Sequence, residues 1–158
     1  MITTQINLTN YLAEYLSGKY YDPELRCVHI PDSLDLYHTI WDLLQKRPVD
    51  CPADEKGNIV LALPDRRTGK DPAYYNYLGI RSIKMINKRV ENLMYSELFQ
   101  LLDENKNKLG TEYLESVYLF KCKYCIESIS DDGLLKRFQR WRELIRQRKS
   151  KRKYRKNT

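Results

Sequence analysis

The strongest constraint on the fold is the carboxyl-terminal stretch, residues 136–158. It reads KRFQRWRELIRQRKSKRKYRKNT and holds 12 Lys/Arg against one acid, Glu143. The whole chain carries +7, so residues 1–135 sum to −4, with 16 basic and 20 acidic side chains. So many cations cannot be buried, and the core must come from elsewhere. Yet the charge begins inside a segment with helical apolar spacing. Leu134, Phe138, Trp141 and Ile145 recur at i, i+4, i+7 and i+11. The stretch therefore divides. One side of residues 136–145 must pack, whereas residues 146–158 have no packing stripe and are expected to be disordered or frayed when unbound.

A chain of 158 residues with 42% hydrophobic content can build one core. Its aromatic content is mostly tyrosine, 13 Tyr against 3 Phe and 2 Trp, which suits half-buried positions with a wet hydroxyl. The opening MITTQINLTNYLAEYL has neither the basic start nor the apolar run of a signal peptide. No apolar stretch is long enough for a membrane span. The expected location is cytoplasmic, or nucleoid-associated for a DNA binder. The four cysteines then read as reduced thiols.

Taken in order, the chain opens with a helix capped by Asn7 or Thr9. Leu8, Tyr11, Leu12, Tyr15 and Leu16 form its stripe, and Gly18 is its expected stop. Residues 27–30 read as a short strand ended by Pro31. A second helix follows Asp32 or Ser33, lined by Leu34, Tyr37, Ile40, Trp41 and Leu44 and closed by Pro48. Residues 48–57 form a polar loop, and residues 58–63 (NIVLAL) give the clearest strand. Asp71-Pro72 is expected to start a short tyrosine-rich helix (Tyr74, Tyr75, Tyr77) that stops at Gly79. A long helix then runs from Ser82 to about Glu104, with Ile86, Val90, Met94 and Leu98 among its inward positions. Gly110 breaks it. Thr111 caps the next helix, for which Leu114, Val117, Tyr118, Lys121 and Cys125 are the expected inward face. Ser130 or Asp131 caps the last helix.

The expected fold class is mostly α, α+β. A small helix and β-hairpin part (residues 1–80), comparable in layout to a winged helix, precedes a helical part (81–148). That part ends in a helix-turn-helix-like pair and leads into a disordered basic tail (149–158). The whole is expected to form one compact unit.

A helix, a turn and a second Arg-rich amphipathic helix is the layout of a helix-turn-helix. On the last helix, Lys136, Gln139, Arg140 and Glu143 lie opposite the apolar stripe. Arg and Gln there suit guanine and adenine edges in a major groove. Arg142, Arg146, Arg148, Lys149, Lys151, Arg152 and Lys153 are the candidate phosphate contacts. Residues 138–142 resemble the aromatic–Gln–Arg run of homeodomain recognition helices. Arg140 stands where that family requires Asn, so its function is not carried over.

The loop of residues 65–71 (DRRTGKD) follows a strand and contains Gly-Lys. Pro64 and Asp71 occupy positions where a phosphate-binding loop needs Gly and Ser or Thr, so nucleotide hydrolysis is not expected. Arg66, Arg67 and Lys70 remain candidates for a secondary contact with a nucleic-acid backbone. Cys122 and Cys125 make a C-x-x-C, but within a helical pattern, and read as buried small apolar residues. His29 and His38 assemble no nucleophile and base. No cofactor, metal site or catalytic residue is expected.

Residues 102–106 (LDENK), 113–118 (YLESVY), 134–136 (LLK) and 140–143 (RWRE) resemble small basic proteins of Mu-like prophages and other bacterial mobile elements. The likeness spans about residues 74–145 and carries no catalytic motif. It implies a setting connected with DNA and assigns no functional residue.

The expected function is non-enzymatic binding of nucleic acid, with duplex DNA the first choice, in a regulator or accessory factor. A homodimer is compatible with this, and membrane association is not expected. The alternative is a protein-interaction module whose basic tail binds an acidic partner or keeps the chain soluble.

Overall fold

The computed structural model describes residues 1–52 and 56–156. Residues 53–55 of the polar loop and 157–158 of the basic tail lie outside the described residues. The elements run β1 (Thr3–Ile6), α1 (Asn10–Tyr20), β2 (Tyr21–Asp22), β3 (Cys27–Val28), α2 (Asp35–Leu43) and β4 (Ile59–Ala62). Then follow α3 (Ile80–Glu104), a π-helical turn (Asn105–Leu109), α4 (Tyr113–Tyr124) and α5 (Asp131–Lys156). The α+β class with a helical carboxyl-terminal part is therefore observed.

The strands form one mixed sheet in the order β1-β4-β3-β2. β4 pairs antiparallel with β1 (Thr3 opposite Ala62, Ile6 opposite Ile59) and parallel with β3 (Val28 opposite Leu61). A parallel pair needs a crossover, and α2 supplies it. Only β2 and β3 form a hairpin, so this sheet differs from the wing hairpin expected from sequence. β1 has no clear sequence signal. It lies at the sheet's edge, where Thr3 is exposed and only Ile6 is buried, leaving little alternation to read.

Two further expectations are corrected. Residues 72–78 form no helix. The Asp71 carbonyl accepts from the amides of Tyr74 (3.0 Å) and Tyr75 (2.8 Å), making a turn. Tyr77 then exchanges backbone hydrogen bonds with Gln45, which removes the amide a helix would use. Gly18 does not stop α1, which continues to Tyr20. Its role is close approach. A Cβ at position 18 would lie 2.8 Å from Tyr124 Cα, so only glycine lets α1 pass this near the end of α4.

The core is continuous from Ile6 and Leu61 in the sheet, through Leu12, Tyr15 and Leu16 of α1, to Leu134 and Phe138 of α5. α3 is its axis, with Ile86, Val90, Met94, Leu98 and Leu102 inaccessible to solvent. On α4 the inward face is not the expected one. Val117 is buried as expected, but its companions are Ser116, Phe120 and Tyr124, while Leu114 and Tyr118 are 53% and 57% exposed. This helix carries two apolar stripes. The aromatic one wins because Phe120 and Tyr124 pack against Tyr15 at ring separations of 6.1 and 5.1 Å.

Glu97 of α3 ties three helices together. Its carboxylate accepts from the Tyr15 hydroxyl (2.5 Å) of α1, the Lys19 ammonium of α1 and the Tyr124 hydroxyl of α4. Glu14 of α1 is a second tie. It accepts from the amides of Glu127 (2.8 Å) and Ser128 (3.0 Å) and from the Ser128 hydroxyl, holding the α4–α5 turn. Burial alone would raise both carboxyls. Hydrogen bonds from Lys19, Tyr124 and Tyr15 outweigh it at Glu97, and those from Ser128 and Glu127 at Glu14, so both titrate below the ordinary 4.5. Burial first, and then Glu97 itself, pushes the Tyr15 and Tyr124 hydroxyls upward.

A lowered carboxyl contributes stability that is complete above its unfolded value and is lost as pH falls through the folded one. A raised phenol contributes stability that is complete below its unfolded value, here 10.0, and is lost as pH rises beyond it. The expected melting temperature is therefore flat between about pH 5 and pH 9 and falls on both sides. Circular dichroism melts across this range check it. The variant Glu97→Gln should show a shallower acid limb.

Candidate nucleic-acid interface

α5 starts where the sequence places it. The Ser130 hydroxyl accepts from the Gly133 amide (3.0 Å), which is the expected amino-terminal cap. Leu134 and Phe138 are buried, and Trp141 is half-buried against Phe99 at a ring separation of 4.8 Å. The opposite face is open. Lys136, Gln139, Arg140 and Glu143 are all exposed. Lys136 is paired with Asp132 (2.8 Å). Glu143 lies 3.9 Å from Arg146 and accepts a 3.4 Å hydrogen bond from Gln147.

The helix does not end at Ile145. It runs on to Lys156, which differs from the disordered tail expected from sequence. Arg, Lys and Gln are good helix formers, so the backbone can stay helical without an apolar stripe. The eleven steps beyond Ile145 extend it by about 16 Å. Along this extension Arg146, Arg148, Lys149, Lys151, Arg152 and Lys153 are exposed. A helix presents these residues over most of its circumference and leaves one uncharged stripe, Gln147, Ser150 and Tyr154.

Arg142 behaves differently. It is half-buried, donates to the Tyr113 hydroxyl (3.1 Å) and lies over the rings of Tyr113 (5.4 Å) and Phe138 (5.6 Å). Its guanidinium is engaged in fixing α5 to the start of α4. Lys106 sits over the same Tyr113 ring (5.6 Å), so the α3–α4 turn lies beside the middle of α5. That turn adds Lys106, paired with Glu112 (2.9 Å), and exposed Lys108. Sequence reasoning passes over both. The doublet in Asn105-Lys106-Asn107-Lys108 is visible in the sequence, but its closeness to Arg142 depends on the fold.

The amino-terminal turn of α5 is acidic. Asp131 pairs with Lys121 (2.6 Å) and Asp132 with Lys136. These carboxylates suit the positive end of the helix. They also repel phosphate from the part that a helix-turn-helix presses into the groove. Residues 125–130 separate α4 from α5, a longer turn than the three or four residues typical of that motif. The cationic centre of α5 thus lies in its middle and carboxyl-terminal half.

The secondary loop is mostly spoken for. Lys70 is half-buried and donates to the carbonyls of Trp41 (2.9 Å), Asp42 (2.7 Å) and Leu44 (2.8 Å), closing the carboxyl end of α2. Arg66 stacks over Trp41 (4.7 Å) and Tyr37 (5.6 Å) and meets His38 Nδ1. Arg67 is exposed. These contacts place the loop on α2, whereas the other candidate residues lie on α5. Lys70→Met is expected to cost about 1–2 kcal/mol through the unsatisfied carbonyls and to leave nucleic-acid affinity unchanged. Urea unfolding and a binding titration on the same sample check both halves.

Among the described residues no group of three or more His, Cys, Asp or Glu is arranged to hold a metal ion. No described helix is long and apolar enough to cross a membrane. The cysteine expectation is corrected in part. Cys27 is buried, but Cys122 and Cys125 are both exposed: Cys122 lies off the buried face of α4, and Cys125 stands just past the helix, in an open cleft beside Glu14 and Gly18 of α1. Comparison with protein-family models, curated proteins and solved structures finds no match to this chain.

Proposed function

We propose that this chain binds nucleic acid through α5, with duplex DNA as its preferred form, and that it acts without catalysing a reaction. One observation carries the reading. A continuous helix with exposed cations over most of its circumference from Arg146 to Lys153 projects from a body whose own sum is negative. A helix of this kind fits the major groove, about 12 Å wide. The extension neutralises phosphates and supplies affinity, while Lys136, Gln139, Arg140 and Glu143 face base edges. Arg142 acts as a brace, and Lys106 and Lys108 widen the cationic surface near it. The resemblance to proteins of Mu-like prophages favours a regulator or accessory factor of a mobile element, working in the cytoplasm or on the nucleoid.

A second reading has one observation in its favour. The acidic first turn of α5 opposes groove entry, whereas an acidic protein partner can dock on the extension alone, away from that turn. Titration of the whole chain with labelled random duplex DNA, at low and moderate salt and against polyglutamate competitor, separates the two. Duplex binding that resists polyglutamate supports the proposal. No duplex binding at low salt, with capture of polyglutamate, overturns it. Single strands and structured RNA in the same competition test the preference for duplex.

A further inference from the structure

The C-x-x-C of α4 plays no part in the reading of α5. Cys122 sits in the last turn and Cys125 is the residue that closes the helix. Cys125 takes a left-handed conformation (φ 53°), uncommon for a residue with a side chain. It closes the helix in place of the usual glycine, with the Ile126 amide bonded to the Lys121 carbonyl at 2.9 Å. Both thiols are exposed. The Cys125 thiol turns back toward the Cys122 carbonyl, with its sulfur 4.0 Å from that oxygen. Cys122 also continues a stripe begun by exposed Leu114 and Tyr118, at i, i+4 and i+8. Nothing in this chain covers that stripe among the described residues.

We propose that Cys122 and Cys125 are half of a tetrahedral thiolate site for zinc, completed by the same pair from a second copy of the chain. Three lines of chemistry converge on this. Two thiols at C-x-x-C spacing are the repeating half of a zinc site built from four cysteines, and no third donor joins them among the described residues. A second copy supplies the missing pair by symmetry, since a two-fold interface brings the same patch together twice. A two-fold axis along α4 also lays Leu114 and Tyr118 of one copy against those of the other.

The position on the helix argues against redox chemistry. The carbonyl end of a helix does nothing to stabilise a free thiolate. Disulfide-exchanging C-x-x-C motifs instead use the amino end, where the thiolate is stabilised. Binding is balanced without oxidation. Four thiols release their protons to solvent as four sulfur–metal bonds form. Tyr118, beside Cys122, can donate its hydroxyl to a bound sulfur.

The test uses the whole chain in a non-chelating reductant, free of affinity tags, titrated with zinc or with cobalt as its coloured substitute. Bound metal is quantified, and mass is followed by light scattering. The expected result is one metal per two chains and a dimer that reverts to monomer with a chelator. Cobalt should show thiolate charge-transfer bands and tetrahedral d–d bands. The double variant Cys122→Ser/Cys125→Ser should lose uptake and metal-dependent dimerisation while keeping its circular dichroism, because both sites are on the surface. Cys51→Ser should change nothing. Uptake of one metal per chain without a change in mass overturns the proposal. So does an unchanged dimer in the double variant, or no uptake at all. None of these readouts depends on nucleic acid.

Discussion

Exchanging Arg146, Arg148, Lys149, Lys151, Arg152 and Lys153 for glutamine is expected to lower affinity for random duplex DNA by roughly a thousandfold at low salt, because the released counterions no longer drive binding. Glutamine keeps helix propensity close to that of Lys and Arg, so the extension stays helical and only charge is removed. All six side chains are exposed and lie beyond the apolar stripe of α5, so stability should be unaltered. The dependence of binding on salt should flatten by about five units of slope, close to one for each cation removed. Replacing Arg140 and Gln139 with alanine should act differently. It should narrow the difference between preferred and random duplexes while leaving the salt slope nearly intact. Anisotropy titrations over a salt series distinguish the two patterns.

Glu97→Ala is expected to be the most damaging single change to the fold, at about 3 kcal/mol. It removes one acceptor shared by two hydroxyls and an ammonium, and it leaves those donors facing each other. The Glu97 and Lys19 side chains retain 28% and 26% of their exposure, so water recovers part of the loss and the upper range for a fully buried pair does not apply. The Tyr15 hydroxyl cannot be recovered so easily, because Tyr15 is inaccessible to solvent. A loss of this size lowers the melting temperature by roughly 10 °C in a chain of this length. Glu97→Gln keeps an acceptor for the hydroxyls and should cost less. Tyr124→Phe removes a single hydrogen bond and should cost least, about 1 kcal/mol. Urea unfolding of the three variants gives the ranking.

Glu97 also shows why part of the structure is hidden in the sequence. In the pattern of α3 it looks like an interruption of the apolar seam. Its partners, Tyr15 and Lys19, stand 82 and 78 residues away, so the tie exists only after α1, α3 and α4 pack. The α5 stripe is legible because Leu134, Phe138 and Trp141 report a helix by spacing alone. Strand β4 is legible as an apolar run between Gly57 and Pro64. The inward face of α4 is not, because spacing offers two stripes and the choice falls to the fit of Phe120 and Tyr124 against Tyr15.

The same division holds for the candidate site. The exposed quartet Lys136, Gln139, Arg140 and Glu143 follows from the helical wheel once Phe138 and Trp141 are buried. The fate of other cations does not follow from charge. Lys70 closes α2 because α2 ends beside it. Arg142 binds Tyr113 because the α3–α4 turn returns to α5. Gly18, which reads as a helix stop, is a clearance for Tyr124. In each case a local signal is real, and a distant neighbour decides its use.

The most direct test of the central claim is the slope of log affinity against log salt for random duplex DNA and the intact chain. Six exposed cations on the extension, each releasing about one counterion, predict a slope of about −5 or steeper. A slope near −1, or no duplex binding at low salt, would contradict the assignment of α5 as a nucleic-acid-binding helix.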